Sequence, residues 1–273
     1  MNIRILIAFA LAALVICPMA NAAPHKSPAK ITSEKSLSAL NADDLALPFP
    51  KNATILFQGD SITDGGRWPG GDPNHGLGQD YAYIIAARCG AHFPDQNWTF
   101  LNRGVGGNRS EDLAARWQSD ALALKPDILS IAIGVNDAWS IASPIPALLA
   151  PSTADQFEQA YDQILSQSLA ANPKIKFVLC EPFIEMVGHP TSNPALWTSE
   201  IKKRQEVVER LAIKYHAPVV HFQTVLDTAI AHSTQPITYW VWDGVHPTYA
   251  GHELMAEEWL RTVRQFYGTE VDR

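Results

Sequence analysis

The chain has 273 residues, 47% of them hydrophobic and 18% charged, with 16 glycines and 19 prolines. That length buries a core without a disulfide scaffold, and the composition excludes a disordered, collagenous or coiled-coil chain. A formal net charge of -7 argues against a nucleic-acid partner, which needs a basic face.

The N-terminus carries a targeting pattern. Arg4 precedes an apolar run from Ile5 to Cys17, and Ala20-Asn21-Ala22 follows as a small-residue cleavage site. The run is short for a bilayer span. Residues 1–22 therefore read as a signal peptide, with a retained N-terminal anchor as the alternative. The expectation is an exported protein, periplasmic or extracellular, with no stable membrane insertion after cleavage. Residues 23–48 are polar and dotted with proline, a leader or linker. Residues 49–268 form the folded domain.

Strands and helices alternate from there on. Thr54 to Phe57 is a β-branched and apolar strand that enters Gln58-Gly59-Asp60-Ser61. A glycine-rich loop from Gly65 to Gly78 follows, then a helix from Asp80 to Cys89. Trp98 to Asn102 is the second strand. Ser110 is placed to cap a helix running to about Leu124, with Glu111 and Asp112 in its first turn. Asp127 to Ile133 is apolar throughout, as expected of a strand covered on both faces. Ser152 or Thr153 starts a helix to Ala171, and Ile175 to Cys180 is the fourth strand. A long helix spans Pro194 to Tyr215, a fifth strand Pro218 to Phe222, and a last helix Ala250 to Phe266. This alternation predicts an α/β three-layer sandwich with a five-stranded parallel sheet, its strand C-termini gathered on one edge. With Cys17 removed, Cys89 and Cys180 remain. Export permits a disulfide, but Cys180 ends a strand, which favours a buried free thiol.

Four polar clusters each sit just after a strand or at a strand-to-helix junction. Gly59-Asp60-Ser61-Ile62-Thr63 places a serine at a helix start, where free N–H groups suit an oxyanion; the plainer reading is an N-cap. Asn102-Arg103-Gly104-Val105-Gly106-Gly107-Asn108 allows close backbone approach to a ligand, or forms a tight turn; Arg109 breaks the dinucleotide spacing and no P-loop lysine follows. In Gly134-Val135-Asn136-Asp137 the Asn136 carboxamide can donate to an oxyanion, or simply occupy a turn. In Asp243-Gly244-Val245-His246-Pro247 a carboxylate three residues before a histidine can fix its tautomer and leave Nε2 to take a proton. Asp72-Pro73-Asn74-His75 repeats that spacing inside the glycine-rich loop, and His75 can line an entrance there. Trp68, Trp139 and Trp242 lie near the clusters, as sugar platforms or core residues. Arg67 is a ligand contact or an ion-pair partner. The remaining histidines read as packing or surface residues. Neither a CxxC nor an HExxH pattern occurs, so a dedicated zinc site is not expected; no cofactor is expected either.

GDSIT, a glycine-rich second block, GVND and DxxHP in this order resemble the GDSL/SGNH hydrolases, over nearly the whole mature domain. The resemblance implies a flavodoxin-like fold with Ser61 as nucleophile, His246 as base and Asp243 as its acid partner. It implies an oxyanion hole from Ser61, Gly107 and Asn136. GDSITDGGR, the His75 to Tyr81 segment, ARW at 115–117, IGVNDAW and WDGVHPTYAGH are more specifically similar to the acetyl-xylooligosaccharide esterase branch. That implies an acetylated sugar or oligosaccharide as substrate and no metal; the oligomeric state is left open. Two other readings stand beside it. One is a lipid-directed acylhydrolase or thioesterase of the same fold, the other a non-catalytic glycan-binding module.

Overall fold

The structure, a computed structural model, describes residues 47–142 and 150–268. The sequence readings for the signal peptide and for most of the leader lie outside them. No helix among the described residues is long and apolar enough to cross a membrane.

Five strands form one sheet: β1 (Thr54–Gly59), β2 (Thr99–Asn102), β3 (Ile128–Ala132), β4 (Lys176–Cys180) and β5 (Val219–Val220). All pairings are parallel and the order is β2-β1-β3-β4-β5. Alternation along β1 explains the layering. Ile55 and Phe57 point to one face and meet Tyr81, Ile85 and Trp259; Leu56 points to the other and joins Leu113, Trp117 and Phe157. The first face is covered by α3 (Tyr81–His92), α8 (Phe222–Ala231) and α9 (Tyr249–Gly268). The second is covered by α4 (Ser110–Asp120), α6 (Ala154–Ala171) and α7 (Pro194–Tyr215).

The chain leaves β1 toward β2 on one side and returns to β3 on the other. The order therefore reverses between β1 and β3. Crossovers diverge there and open a crevice at the strand C-termini, which is where ligands bind in open α/β sheets.

Several local expectations are corrected. Ser110 is the first helical residue of α4 rather than its cap. Its hydroxyl donates to Asp137 Oδ1 at 2.7 Å, because a buried carboxylate needs donors more than a helix end does, and Asp112 accepts the Arg109 N–H at 2.8 Å instead. That helix stops at Asp120, and a 3-10 turn at Leu122–Leu124 ends on Lys125 with φ 50°. The GVND block is the start of a helix, α5 (Val135–Ala142), not a turn. Phe222 belongs to α8, so the fifth strand is only two residues long. Within the glycine-rich loop Asp72 caps a short α2 (Pro73–Leu77), with Pro73 at its first position. Cys89 and Cys180 are buried and free, and burial pushes the Cys89 thiol up to about 12.

Candidate active site

β1 ends at Gly59 and the chain turns at once into α1 (Ser61–Asp64). Asp60 caps that turn: its Oδ1 accepts the Ile62 N–H at 3.0 Å. It is buried, and desolvation pushes its carboxyl up to about 7, against the Ile62 N–H that favours the anion. The cap fixes Ser61 at the first helical position, above the sheet edge.

Ser61 Oγ lies 2.8 Å from His246 Nε2, although 185 residues separate them. His246 Nδ1 lies 2.7 Å from Asp243 Oδ2. The other carboxylate oxygen accepts the backbone N–H groups of His246 at 2.8 Å and Val245 at 3.0 Å. Burial works against the Asp243 anion. Those N–H groups and the imidazole outweigh it and hold the carboxyl below its ordinary range. The ring is thus oriented by an ionised partner with its Nε2 turned to a hydroxyl, the arrangement in which serine can give up a proton.

The turn carrying this pair is braced from below. Glu185 N donates to Gly244 O at 2.8 Å, His189 N to Asp243 O at 3.3 Å, and Trp242 N to His246 O at 3.0 Å. Gly188 has φ 62°, and a Cβ there would collide with the Asp243 backbone. Only glycine permits that close approach. His252 is buried nearby, and desolvation lowers it to about 4, so it stays neutral beside His246.

The second and third clusters meet the first. Asn102 at the end of β2 accepts the Gly104 N–H at 2.8 Å and donates to Leu77 O at 2.8 Å, to Asp80 and to Thr63 O. Asp64 accepts the Gly106 N–H at 3.1 Å. Gly107 has φ 80° and open space where a side chain would stand. Asn136 is in the first turn of α5 and donates through Nδ2 to Asn108 O at 3.1 Å, which leaves its second amide hydrogen available. Asn108 is held by Arg116 Nε at 2.8 Å. The neighbouring Asp137 is buried and accepts from Ser110 and Ser152. Arg204 of α7, fully buried, donates to the Ser152 and Asp137 carbonyls. Sequence reading did not single out Asp64, Arg116, Asp137 or Arg204. Each has at least one partner 27 or more residues away: Asp64 with Gly106, Arg116 with Gly59, Asp137 with Ser110 and Arg204 with Ser152, and those long-range partners leave no spacing signal in the sequence.

The other sequence-predicted residues divide. Trp242 is 59% exposed and stacked on the His246 ring, at 5.8 Å and 20°. Trp68 is exposed at the loop and meets His75 edge-on. Trp139 packs against Trp197 at 5.2 Å and His189 at 4.6 Å, the core reading. Arg67 turns inward: its Nε donates to Gly104 O at 2.6 Å, so it ties the first cluster to the second. His75 pairs with Asp72 at 2.6 Å in an exposed turn.

Residues 57–254 match the model of the GDSL-like lipase/acylhydrolase family. The chain belongs to that family. An acetylxylan esterase from Geobacillus stearothermophilus is 32% identical over 213 residues, which covers 77% of this chain and 93% of the relative. A GDSL-like lipase structure from Parabacteroides merdae superposes with a TM-score of 0.72 at 32% identity, covering 80% of this chain and 98% of that one. A catalytic mutant of the Geobacillus acetylxylan esterase gives a TM-score of 0.70 at 28% identity, over 80% and 96%. This GDSL hydrolase is thus a carboxylic ester hydrolase with a five-stranded parallel sheet, as the four blocks implied.

Proposed function

We propose that the protein is an exported serine esterase that removes acetyl groups from xylo-oligosaccharides or related glycans. The observation that carries the catalytic part is the Ser61–His246–Asp243 chain of contacts at 2.8 and 2.7 Å. The acetylxylan esterase at 32% identity supports the substrate class, and the apolar N-terminal run supports export.

The chemistry runs in two halves. His246 Nε2 takes the Ser61 proton as Oγ bonds to the ester carbonyl carbon, and the carbonyl oxygen becomes the oxyanion. The backbone N–H groups of Ser61 and Gly107 and the free amide hydrogen of Asn136 receive that charge. Each such donor is worth about 2.7–4 kcal/mol of barrier. The tetrahedral centre collapses, the C–O bond to the sugar breaks, and the imidazolium returns its proton to the departing hydroxyl. Water, deprotonated by the same Nε2, then attacks the acetyl-enzyme and releases acetate and Ser61. Asp243 stays ionised throughout and stabilises the imidazolium. The exposed face of Trp242, stacked beside the base, offers a flat apolar surface for a sugar ring, and Trp68 offers a second on the loop.

The test is kcat/KM across p-nitrophenyl esters from acetate to octanoate, together with acetate release from acetylated xylo-oligosaccharides. We expect acetate to be preferred. A pocket built for long chains recovers about 0.8 kcal/mol per buried CH2, so a steady rise with chain length would assign the enzyme to lipid-directed acyl hydrolysis instead. Export is checked by locating the protein in fractionated cells.

A further inference from the structure

A second cluster stands at the far edge of the sheet. Glu181 follows β4, His221 follows β5, and Glu209 faces them from α7. His221 Nδ1 is 3.2 Å from Glu181 Oε2 and 3.8 Å from Glu209 Oε1, and the three donor atoms all lie within 4.8 Å of one another. We propose that Glu181, Glu209 and His221 form a binding site for a divalent transition-metal ion of the Zn2+ class, apart from the Ser61 site.

Four observations support the assignment. Zinc bonds nitrogen and carboxylate oxygen at about 2.0–2.2 Å, so tetrahedral ligands stand roughly 3.4 Å from one another, between the 3.2 and 3.8 Å of the two His221 pairs. One imidazole and two carboxylates suit zinc better than calcium or magnesium, which favour all-oxygen sets. Glu181 is buried and its second oxygen accepts the Gln223 N–H at 3.0 Å. That bond fixes the carboxylate in advance, as an outer-shell donor does in established sites. Glu209 and His221 also line a hollow of about 610 Å3 with Ala217 and Val219. It gives an ion a way in and leaves room for water in the remaining coordination positions.

The charges agree. Two carboxylates neutralise a dication, and Glu258 on α9 adds a third negative field at His221. Metal binding needs the Nδ1 lone pair, so the ring proton must sit on Nε2. From the imidazolium, one proton passes to solvent as the N–metal bond forms. Affinity therefore falls on acidification.

The experiment is calorimetric titration of the untagged full-length protein with ZnSO4 near neutral pH, with MgCl2 and CaCl2 as comparisons. We expect one Zn2+ per chain, little response to Mg2+ or Ca2+, and a rise in Tm with added Zn2+. His221→Ala and Glu209→Gln should each weaken binding by about tenfold or more, while both keep wild-type esterase activity, which shows that the fold survives. Glu209→Gln lies at an exposed helix position and covers the case in which His221→Ala misfolds. Absence of one-to-one binding, or equal affinity in wild type and Glu209→Gln, overturns the proposal.

Discussion

Two turns in this molecule are built alike. In both, an aspartate three residues ahead of a histidine holds the ring Nδ1, at 2.7 Å for Asp243–His246 and 2.6 Å for Asp72–His75. Each aspartate also caps two backbone N–H groups of its own turn. The local sequence thus makes the same dyad twice. The difference lies in what surrounds it. His246 is pinned between the 185–189 segment and the start of α9, and its free nitrogen meets Ser61. The His75 side chain is 66% exposed, and among the described residues no serine contacts its ring. The local dyad forms in either setting, and what distinguishes the first is a serine hydroxyl delivered to it from the end of another strand.

Breaking the first turn should therefore cost far more than breaking the second. Ser61→Ala should lower kcat by about 10⁴-fold or more, with the circular-dichroism spectrum unchanged. His246→Ala should match it, because the two act as one unit, while His75→Ala stays within a few-fold of wild type. Steady-state kinetics on p-nitrophenyl acetate separates the two, and a dead His75 variant beside an active His246 variant would exchange their roles.

The carboxylates sharpen the comparison. Asp243→Asn should cost about 10³–10⁴-fold in kcat, since an amide favours the wrong tautomer; Asp72→Asn should leave kcat nearly intact. Because Asp243 is held anionic below its ordinary range, its protonation should cost activity only below about pH 4, read from the acid limb of the wild-type kcat/KM profile.

A smaller effect concerns the support beneath Asp243. Gly188→Ala sets a methyl against the Asp243 backbone at a positive φ. It should lower kcat by about 10–100-fold with little change in KM, and the corresponding change at Gly71, in the loop of the other dyad, should be nearly silent. Similar losses in kcat at both positions would show that the brace is not specific to the active turn.

The smallest effect is on stability. Asp60 has its carboxyl raised to about 7 in the folded protein, against about 3.9 unfolded. The folded state then binds the extra proton more tightly, so stability is full below about pH 4 and falls as pH rises through 7. Asp60→Asn keeps the cap and removes the titration. Its stability relative to wild type should grow by on the order of 2–4 kcal/mol between those limits, read by urea unfolding across pH. A constant difference would place the Asp60 proton elsewhere.

Sequence by itself determined the layers and the candidate residues. The strands at 54–57, 98–102, 127–133 and 175–180 are apolar runs of the right length. Thr153 and Gln156 form a reciprocal cap at the start of α6, and the helix over Pro194–Tyr215 begins and ends where its proline and periodicity place it. These are signals between near neighbours, set by backbone sterics and side-chain period. Tertiary structure decided the rest. It took the Ser110 hydroxyl for Asp137, wound GVND into a helix, and turned Arg67 inward. It chose His246 over an identical local dyad. It also brought Glu181, Glu209 and His221 together from three elements with no motif among them. In each case the partner comes from another element of the fold. Such a contact repays the entropy of ordering the chain only once the sheet has been assembled, so no short stretch of residues records it.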